Sequence, residues 1–310
     1  MKPTVAVVLA TYNRKTLLSE CLDALAHQTR KPETIIIIDN ASTDGTQNYL
    51  TEQIKKTDNN IIYHRQAENT GGSGAYFEGV KIAQDIGSEW IWMMDDDGCP
   101  DSTALESMLM SITSNLDVYG SSAYYFENEE KRLCFNAMNS ENSHELFKYI
   151  KDLPSTLPVT GLPFIGFMVS SSLVSKIGLP DKDFFISLDD LEYAERAKKF
   201  GSKIWLIRDS QIRHPIPGSQ YDFNFFGKIF HCGSLAPWRR YYDVRNRIII
   251  SKRYWGTQLW TKTLPSLLVR IFAALLYEDQ QLGQLKAFLL GLYDGLRGVS
   301  GKRVEPGQKF

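Results

Sequence analysis

The sequence predicts an α/β protein with a mostly parallel central sheet and helices on both faces, followed by a basic, aromatic helical extension. Three observations predict it. Short β-branched runs alternate with segments of helical period through the first two-thirds of the chain. Those runs are apolar at nearly every position, as strands covered on both faces are. The charge also reverses along the chain: residues 1–220 hold 21 Lys and Arg against 30 Asp and Glu, and residues 221–310 hold 14 against 6. An acidic body ahead of a basic tail gives two regions, 1–220 and 221–310. The break lies near the Pro/Gly-rich stretch His214-Pro215-Ile216-Pro217-Gly218.

Residues 4–10 (TVAVVLA) are predicted to form a buried strand, and residues 15–28 place Leu17, Leu18, Cys21, Leu22 and Leu25 at helical spacing. Residues 34–38 (TIIII) are a second strand, ended by the turn-rich Asp39-Asn40-Ala41-Ser42-Thr43-Asp44-Gly45. A helix over 46–56 and a strand over 60–64 follow. After Gly71-Gly72-Ser73-Gly74 comes a helix over residues 75–86, and then a strand, WIWMM at 90–94, that runs straight into Asp95-Asp96-Asp97. Farther on, residues 183–194 (DFFISLDDLEYA) lead into an amphipathic helix marked by Leu191, Ala194, Ala197 and Phe200, and residues 203–212 (KIWLIRDSQI) form another strand. Sheets of this kind bind ligands at the carboxyl ends of their strands. The polar clusters Thr11-Tyr12-Asn13-Arg14, Asp39-Asn40 and Asp95-Asp96-Asp97 each follow a strand.

Composition excludes several classes. With 310 residues, 43% hydrophobic, 23% charged and a net charge of -1, the chain is too apolar and too balanced to be disordered. Its four cysteines lie far apart with no CxxC pair, against a disulfide framework or structural zinc and in favour of a reducing cytosol. No charged leader and apolar run open the sequence, so no signal peptide is expected. The best apolar stretch, 264–277, is interrupted by Arg270 and falls short of the roughly 18 residues of a spanning helix. A soluble or surface-bound protein is expected. The acidic first region and the lack of a nucleic-acid motif argue against a nucleic-acid partner.

The triple aspartate is the strongest chemical signal. In extended chain alternate side chains share a face, so Asp95 and Asp97 converge while Asp96 points elsewhere. Two convergent carboxylates suit a hard divalent cation; a solvated acidic turn is the competing explanation. Asn69-Thr70-Gly71-Gly72-Ser73-Gly74 permits close backbone approach to a ligand ahead of a helix N-terminus, or an ordinary turn. Asp189-Asp190 at a helix start serves either as a cap or as a general base. His214 after a strand is a structural histidine or a third metal ligand. The basic aromatic stretch from Trp238 to Trp255 suits anionic lipid headgroups, or a solvated helix packed on the body.

Taken in order, these motifs resemble the family 2 glycosyltransferases of the GT-A fold, over roughly residues 4–215. Asn-x-Gly-Gly-Ser-Gly followed by WIWMMDDDG, the Arg240-Tyr241-Tyr242-Asp243-Val244-Arg245-Asn246 segment and the 24-residue gap from Asp190 to His214 are most similar to bacterial galactofuranosyltransferases, with rhamnosyltransferases next. The resemblance implies that Thr11, Tyr12 and Arg14 line the nucleotide site, with Asp39 near the base and ribose. It implies that Asn69, Gly72 and Ser73 approach the ribose or diphosphate. Asp95 and Asp97, with His214, would hold Mn²⁺ or Mg²⁺ on the donor, and Asp96 would face the sugar or acceptor. Asp190 would be the base and Asp189 would orient the acceptor. The implied reaction is inverting transfer of galactofuranose from UDP-galactofuranose, or of rhamnose from dTDP-rhamnose, to a glycan or glycolipid. The expected place is the cytoplasm, where the basic aromatic tail could rest on the inner face of the membrane. A non-catalytic nucleotide-sugar-binding scaffold is the alternative of another class; it would have no need of Asp190.

Overall fold

The computed structural model describes residues 2–55, 60–216, 218 and 220–310. The chain divides into two compact units, Met1–Asp181 with Tyr193–Ile216, and Lys182–Glu192 with Pro217–Phe310.

The first unit contains β1 (Val5–Thr11), α1 (Lys15–Ala26), β2 (Thr34–Asp39), α2 (Thr46–Ile54), β3 (Ile61–Arg65), α3 (Gly71–Asp85), β4 (Trp90–Asp95), β5 (Cys99–Pro100) and α4 (Ala104–Met110). It continues with β6 (Val118–Glu127), β7 (Glu130–Met138), β8 (Leu146–Tyr149), β9 (Thr156–Pro158), β10 (Phe167–Ser170) and α5 (Ser171–Ile177). Helix α6 (Asp189–Phe200) has its first turn in the second unit, and its remainder leads to β11 (Ile204–Arg213). Among the described residues these strands make an eleven-stranded sheet whose main path is β3-β2-β1-β4-β10-β6-β11-β5. The first four are parallel neighbours, as are β6 and β11, while β10 enters antiparallel between β4 and β6.

Strand alternation divides the core into two layers. Val5, Val7, Leu9, Ile35, Ile37, Trp92 and Met94 pack with α1, Leu50 of α2, and α4. Ala6, Val8, Ile36, Ile38, Ile91 and Met93 pack with α3 on the opposite face. Each Val, Leu, Ile or Met among them stabilises by about 1.5–3 kcal/mol when fully buried, which is why the runs are apolar throughout. Gly79 lets α3 settle on the sheet: a Cβ there would lie 2.3 Å from Val8 Cγ1 and 3.3 Å from Ile38 Cγ1. Both neighbours are buried, β-branched strand residues with little freedom to move. Gly79→Ala is therefore expected to destabilise the protein by about 1–3 kcal/mol, measured by the shift in a chemical denaturation midpoint.

Most predicted elements appear within one or two residues. Helix α3 is the exception, starting at Gly71 instead of residue 75. Its start is fixed by side-chain oxygens: Gly71 N–H donates to Asn69 Oδ1, and Thr70 N–H donates to Asn40 Oδ1. Helix α2 ends at Ile54, and the predicted last residue, Lys56, lies outside the described residues, as does Pro217 of the predicted break.

The second unit is helical as expected, with one addition. It opens on an antiparallel hairpin of β12 (Gln220–Phe225) and β13 (Lys228–Gly233), turned at Phe226 and Gly227 with φ of 50° and 80°. The signal was period-2 alternation, for Tyr221, Phe223 and Phe225 share one face of β12. Helix α7 (Pro237–Ile250) runs into a π-helical turn, Ser251–Trp255; a second, Leu259–Thr263, leads into α8 (Leu264–Tyr277), and α9 (Gln281–Arg297) follows. Because that second turn prolongs α8, the helical stretch Leu259–Tyr277 has 19 residues and is long and apolar enough to cross a membrane, by length and composition only. The stretch is thus longer than residues 264–277 alone, and Lys262 and Arg270 interrupt it. Helices α7 and α9 touch backbone to backbone: a Cβ on Gly291 would lie 2.6 Å from Tyr241 O, and one on Gly295 would lie 2.9 Å from Arg245 O.

Candidate active site

Strand register brings the polar clusters of the first unit to one level. Thr11 pairs with Asp39, and Ala10 with Asp95, so the carboxyl ends of β1, β2 and β4 lie side by side. Their loops are tied together. Asn13, at φ 54°, receives Thr43 N–H on Oδ1 at 2.7 Å and donates its own N–H to Ser42 Oγ. Buried Asn40 joins the β2 end to the glycine loop, accepting from Thr70 Oγ1 at 3.0 Å and donating to Gly71 O at 3.2 Å.

The three aspartates separate as strand alternation requires. Asp95 continues the Ile91–Met93 face and meets Tyr76 of α3, whose hydroxyl donates to Asp95 Oδ1 at 2.7 Å. Asp96 continues the Trp92–Met94 face, where Thr11 Oγ1 donates to its Oδ2 at 2.7 Å and Arg14 reaches its Oδ1 at 3.3 Å. Asp97 lies in the turn beyond, with Arg14 Nη1 at 2.6 Å from Oδ2. His214, just past β11, sets Nε2 3.1 Å from Asp97 Oδ1 and holds its Nδ1 2.8 Å from Pro215 O. Among the described residues Asp97 Oδ1 is buried and meets His214 as an ion pair with no hydrogen bond of its own.

Charge follows environment. Burial, then the charge of Asp97, holds Asp95 above the usual carboxylate range. Burial pushes Asp96 up to about 7, against the pull of Thr11 and Arg14. For Asp97, burial is outweighed by His214 and Arg14, and its carboxyl stays low. Burial would lower the His214 imidazole, but Asp97, Cys134 and the Pro215 carbonyl override it and push it up to about 10. Asp95, Asp97 and His214 offer ligand atoms that all lie within 4.8 Å of one another. Two carboxylates plus an imidazole whose other nitrogen is fixed by a backbone carbonyl suit a divalent cation such as Mn²⁺ or Mg²⁺. The orphaned Asp97 oxygen fits that use. A cavity of about 210 Å³ adjoins them, lined by Leu17, Glu20, Asp97, Cys99, Arg213, His214 and Pro215.

The other predicted residues fall as follows. Tyr12 is exposed, and Arg14 is half-exposed. Asp39 is fully buried, one oxygen receiving Ser42 N–H at 2.8 Å and the other the Tyr63 hydroxyl at 2.7 Å. Asn69 caps Gly71, Gly72 borders open space, and Ser73 Oγ is buried with no hydrogen-bond partner among the described residues. Asp96, expected toward sugar or acceptor, is 2% exposed and turned to Thr11 and Arg14. Asp189 and Asp190 begin α6 in the second unit, half-buried, with Leu191 N–H 2.7 Å from Asp190 Oδ1. Sequence reasoning missed Tyr76, Asn40 and Tyr63. Tyr76 gave no separable signal, because its place in the helix is that of an ordinary core aromatic.

Residues 6–177 match the family described as Glycosyl transferase family 2. Galactofuranosyltransferase GlfT1 of Mycolicibacterium smegmatis is 26% identical over 255 residues, 78% of this chain and 81% of its own length. The dTDP-rhamnosyl transferase RfbF of Shigella flexneri is 26% identical over 137 residues, 44% of this chain and 45% of its own. Among solved structures, GalNAc-T7 with UDP, GalNAc and Mn²⁺ superposes with a TM-score of 0.64 at 12% identity, covering 96% of this chain and 56% of that one. The strand order, the strand-end site and these likenesses agree: the chain belongs to glycosyl transferase family 2, and it is a glycosyltransferase with the GT-A fold.

Proposed function

We propose that this glycosyltransferase is metal-dependent and inverting, and that it moves galactofuranose from UDP-galactofuranose to a hydroxyl of a lipid-linked polysaccharide. The observation that carries the mechanism is the convergence of Asp95, Asp97 and His214 within 4.8 Å at the strand ends. The similarity to GlfT1, spread over four-fifths of both chains, supports the donor.

Asp95, Asp97 and His214 hold Mn²⁺ or Mg²⁺, which when bound supplies counter-charge for the departing nucleoside diphosphate. Tyr12 and Arg14 border the nucleotide, and Thr11 acts through Asp96 to aim Arg14. Asp39 fixes the loop against which the base and ribose rest. Gly72 admits the diphosphate to the backbone of the first turn of α3, with Asn69 and Ser73 beside it, where helix N–H groups favour anions. Asp189 orients the acceptor. Asp190 accepts the acceptor hydroxyl's proton as that oxygen bonds to the anomeric carbon and the carbon–phosphate oxygen bond breaks. One displacement inverts the anomeric centre, and no second nucleophile is required.

Calorimetric titration with UDP and with dTDP, each with and without Mn²⁺, tests this reading. Metal-dependent binding that prefers UDP is expected. A preference for dTDP would transfer the same mechanism to rhamnose, and no binding of either would overturn the donor assignment.

The acceptor's lipid anchor draws support from the second unit. Leu268, Phe272 and Leu276 of α8 and Leu282, Leu289 and Tyr293 of α9 are exposed, on a region whose net charge is strongly positive. Sedimentation with anionic vesicles is expected at low salt and to weaken as salt rises. No sedimentation at low salt would remove the membrane from the proposal.

A further inference from the structure

We infer that Arg245 and Asn246, on α7, are positioning residues that set the geometry of the Asp189-Asp190 pair. The inference rests on the reading of Asp190 as the base. The residues leading into that pair carry unusual backbone: Phe185, Ser187 and Leu188 have φ of 64°, 70° and 64°. Left-handed backbone costs free energy in residues with a Cβ, and three such residues in four positions persist only where the surroundings over-determine them. The surroundings that do so are two polar side chains, both fully buried in the second unit. Asn246 Nδ2 lies 3.1, 2.9 and 2.8 Å from the carbonyls of Phe184, Ile186 and Ser187. Arg245 Nη2 donates to Phe184 O at 2.9 Å and Asp183 O at 3.2 Å, its Nη1 donates to Gly301 O, and its Nε donates to Asn246 Oδ1 at 2.8 Å.

A buried guanidinium is costly to maintain, and among the described residues no ion pair to a carboxylate is seen for Arg245. Its charge is met by backbone carbonyls and by the rings of Tyr241 and Tyr242 at 5.5 and 4.8 Å. Gly291 and Gly295 of α9 let that helix pack directly on the α7 backbone at Tyr241 and Arg245. A second hold acts from the π-helical turn: Tyr254 donates to Glu192 at 2.6 Å, two residues after Asp190, with Arg253 at 3.6 Å. Packing alone would need apolar side chains here. A strained loop gripped through four of its carbonyls has its conformation dictated, and the residues it delivers are the two acids.

The test is steady-state kinetics of the full chain. Asn246→Ala is expected to lower kcat by roughly 10–100-fold, the scale of a catalytic group displaced by about 1 Å, with donor KM and Mn²⁺-dependent UDP affinity within about twofold of the parent. Asn246→Ser is measured in the same way should the alanine variant not fold. Gln284→Ala serves as a destabilised control: it breaks the buried Arg240–Glu278–Gln284 network elsewhere in the unit and should lower Tm with kcat retained. In an Asp190→Asn background, Asn246→Ala should cost clearly less than it does in the parent, because one of the two acids it positions no longer acts as a base. An unchanged kcat, an additive loss in the double variant, or an equal loss of UDP affinity would each overturn the inference. Full activity of Asp190→Asn itself would instead overturn the reading of the base, and the two failures are thereby distinct.

Discussion

Asp190→Asn is expected to lower glycosyl transfer by roughly 10²–10⁴-fold, the usual contribution of a general base, while nucleotide affinity stays within about twofold. Asparagine keeps the volume and one acceptor oxygen, so the 2.7 Å contact with Leu191 N–H persists and the helix start with it. What asparagine lacks is a site to receive the acceptor's proton. Transfer assays paired with UDP calorimetry and thermal unfolding separate the outcomes. Transfer lost alone identifies a base; transfer, binding and stability lost together would identify a structural cap, whose loss typically costs about 1 kcal/mol.

Asp97→Ala is expected to abolish the metal dependence of UDP binding and to lower activity by at least about a hundredfold, since the counter-charge on the leaving group is worth several kcal/mol and each 1.36 kcal/mol is tenfold in rate. Residual metal-free UDP binding should match that of the parent. Asp96 remains 3.3 Å from Arg14 in the variant, so the β1 loop keeps an anchor. A Mn²⁺ titration unchanged from the parent would remove Asp97 from the ligand set.

Parts of this site are legible in the sequence alone. The triple aspartate announced itself because three carboxylates at the end of an apolar strand are costly without a use, and the period of two separated Asp95 from Asp96 in advance. His214 was legible only as a histidine after a strand. Its approach to Asp97 depends on β11 pairing antiparallel with β5, which follows the aspartates and sets Arg213 against Cys99, a pairing with no local signature. The glycine loop misled because glycine lowers helix propensity, whereas Asn40 and Asn69 supply the acceptors that start α3 at Gly71.

Periodicity and composition are local properties, and they suffice for the layered α/β body, the strand-end location of the polar clusters and the sign of the charge on each region. Tertiary structure alone decided which distant residues meet. It brought Tyr76 to Asp95 and Thr11 to Asp96, and it brought Arg245 and Asn246 to the carbonyls of residues 183–187, some sixty positions away. Such contacts come from strand order and helix packing, which bring together side chains that no sequence spacing relates.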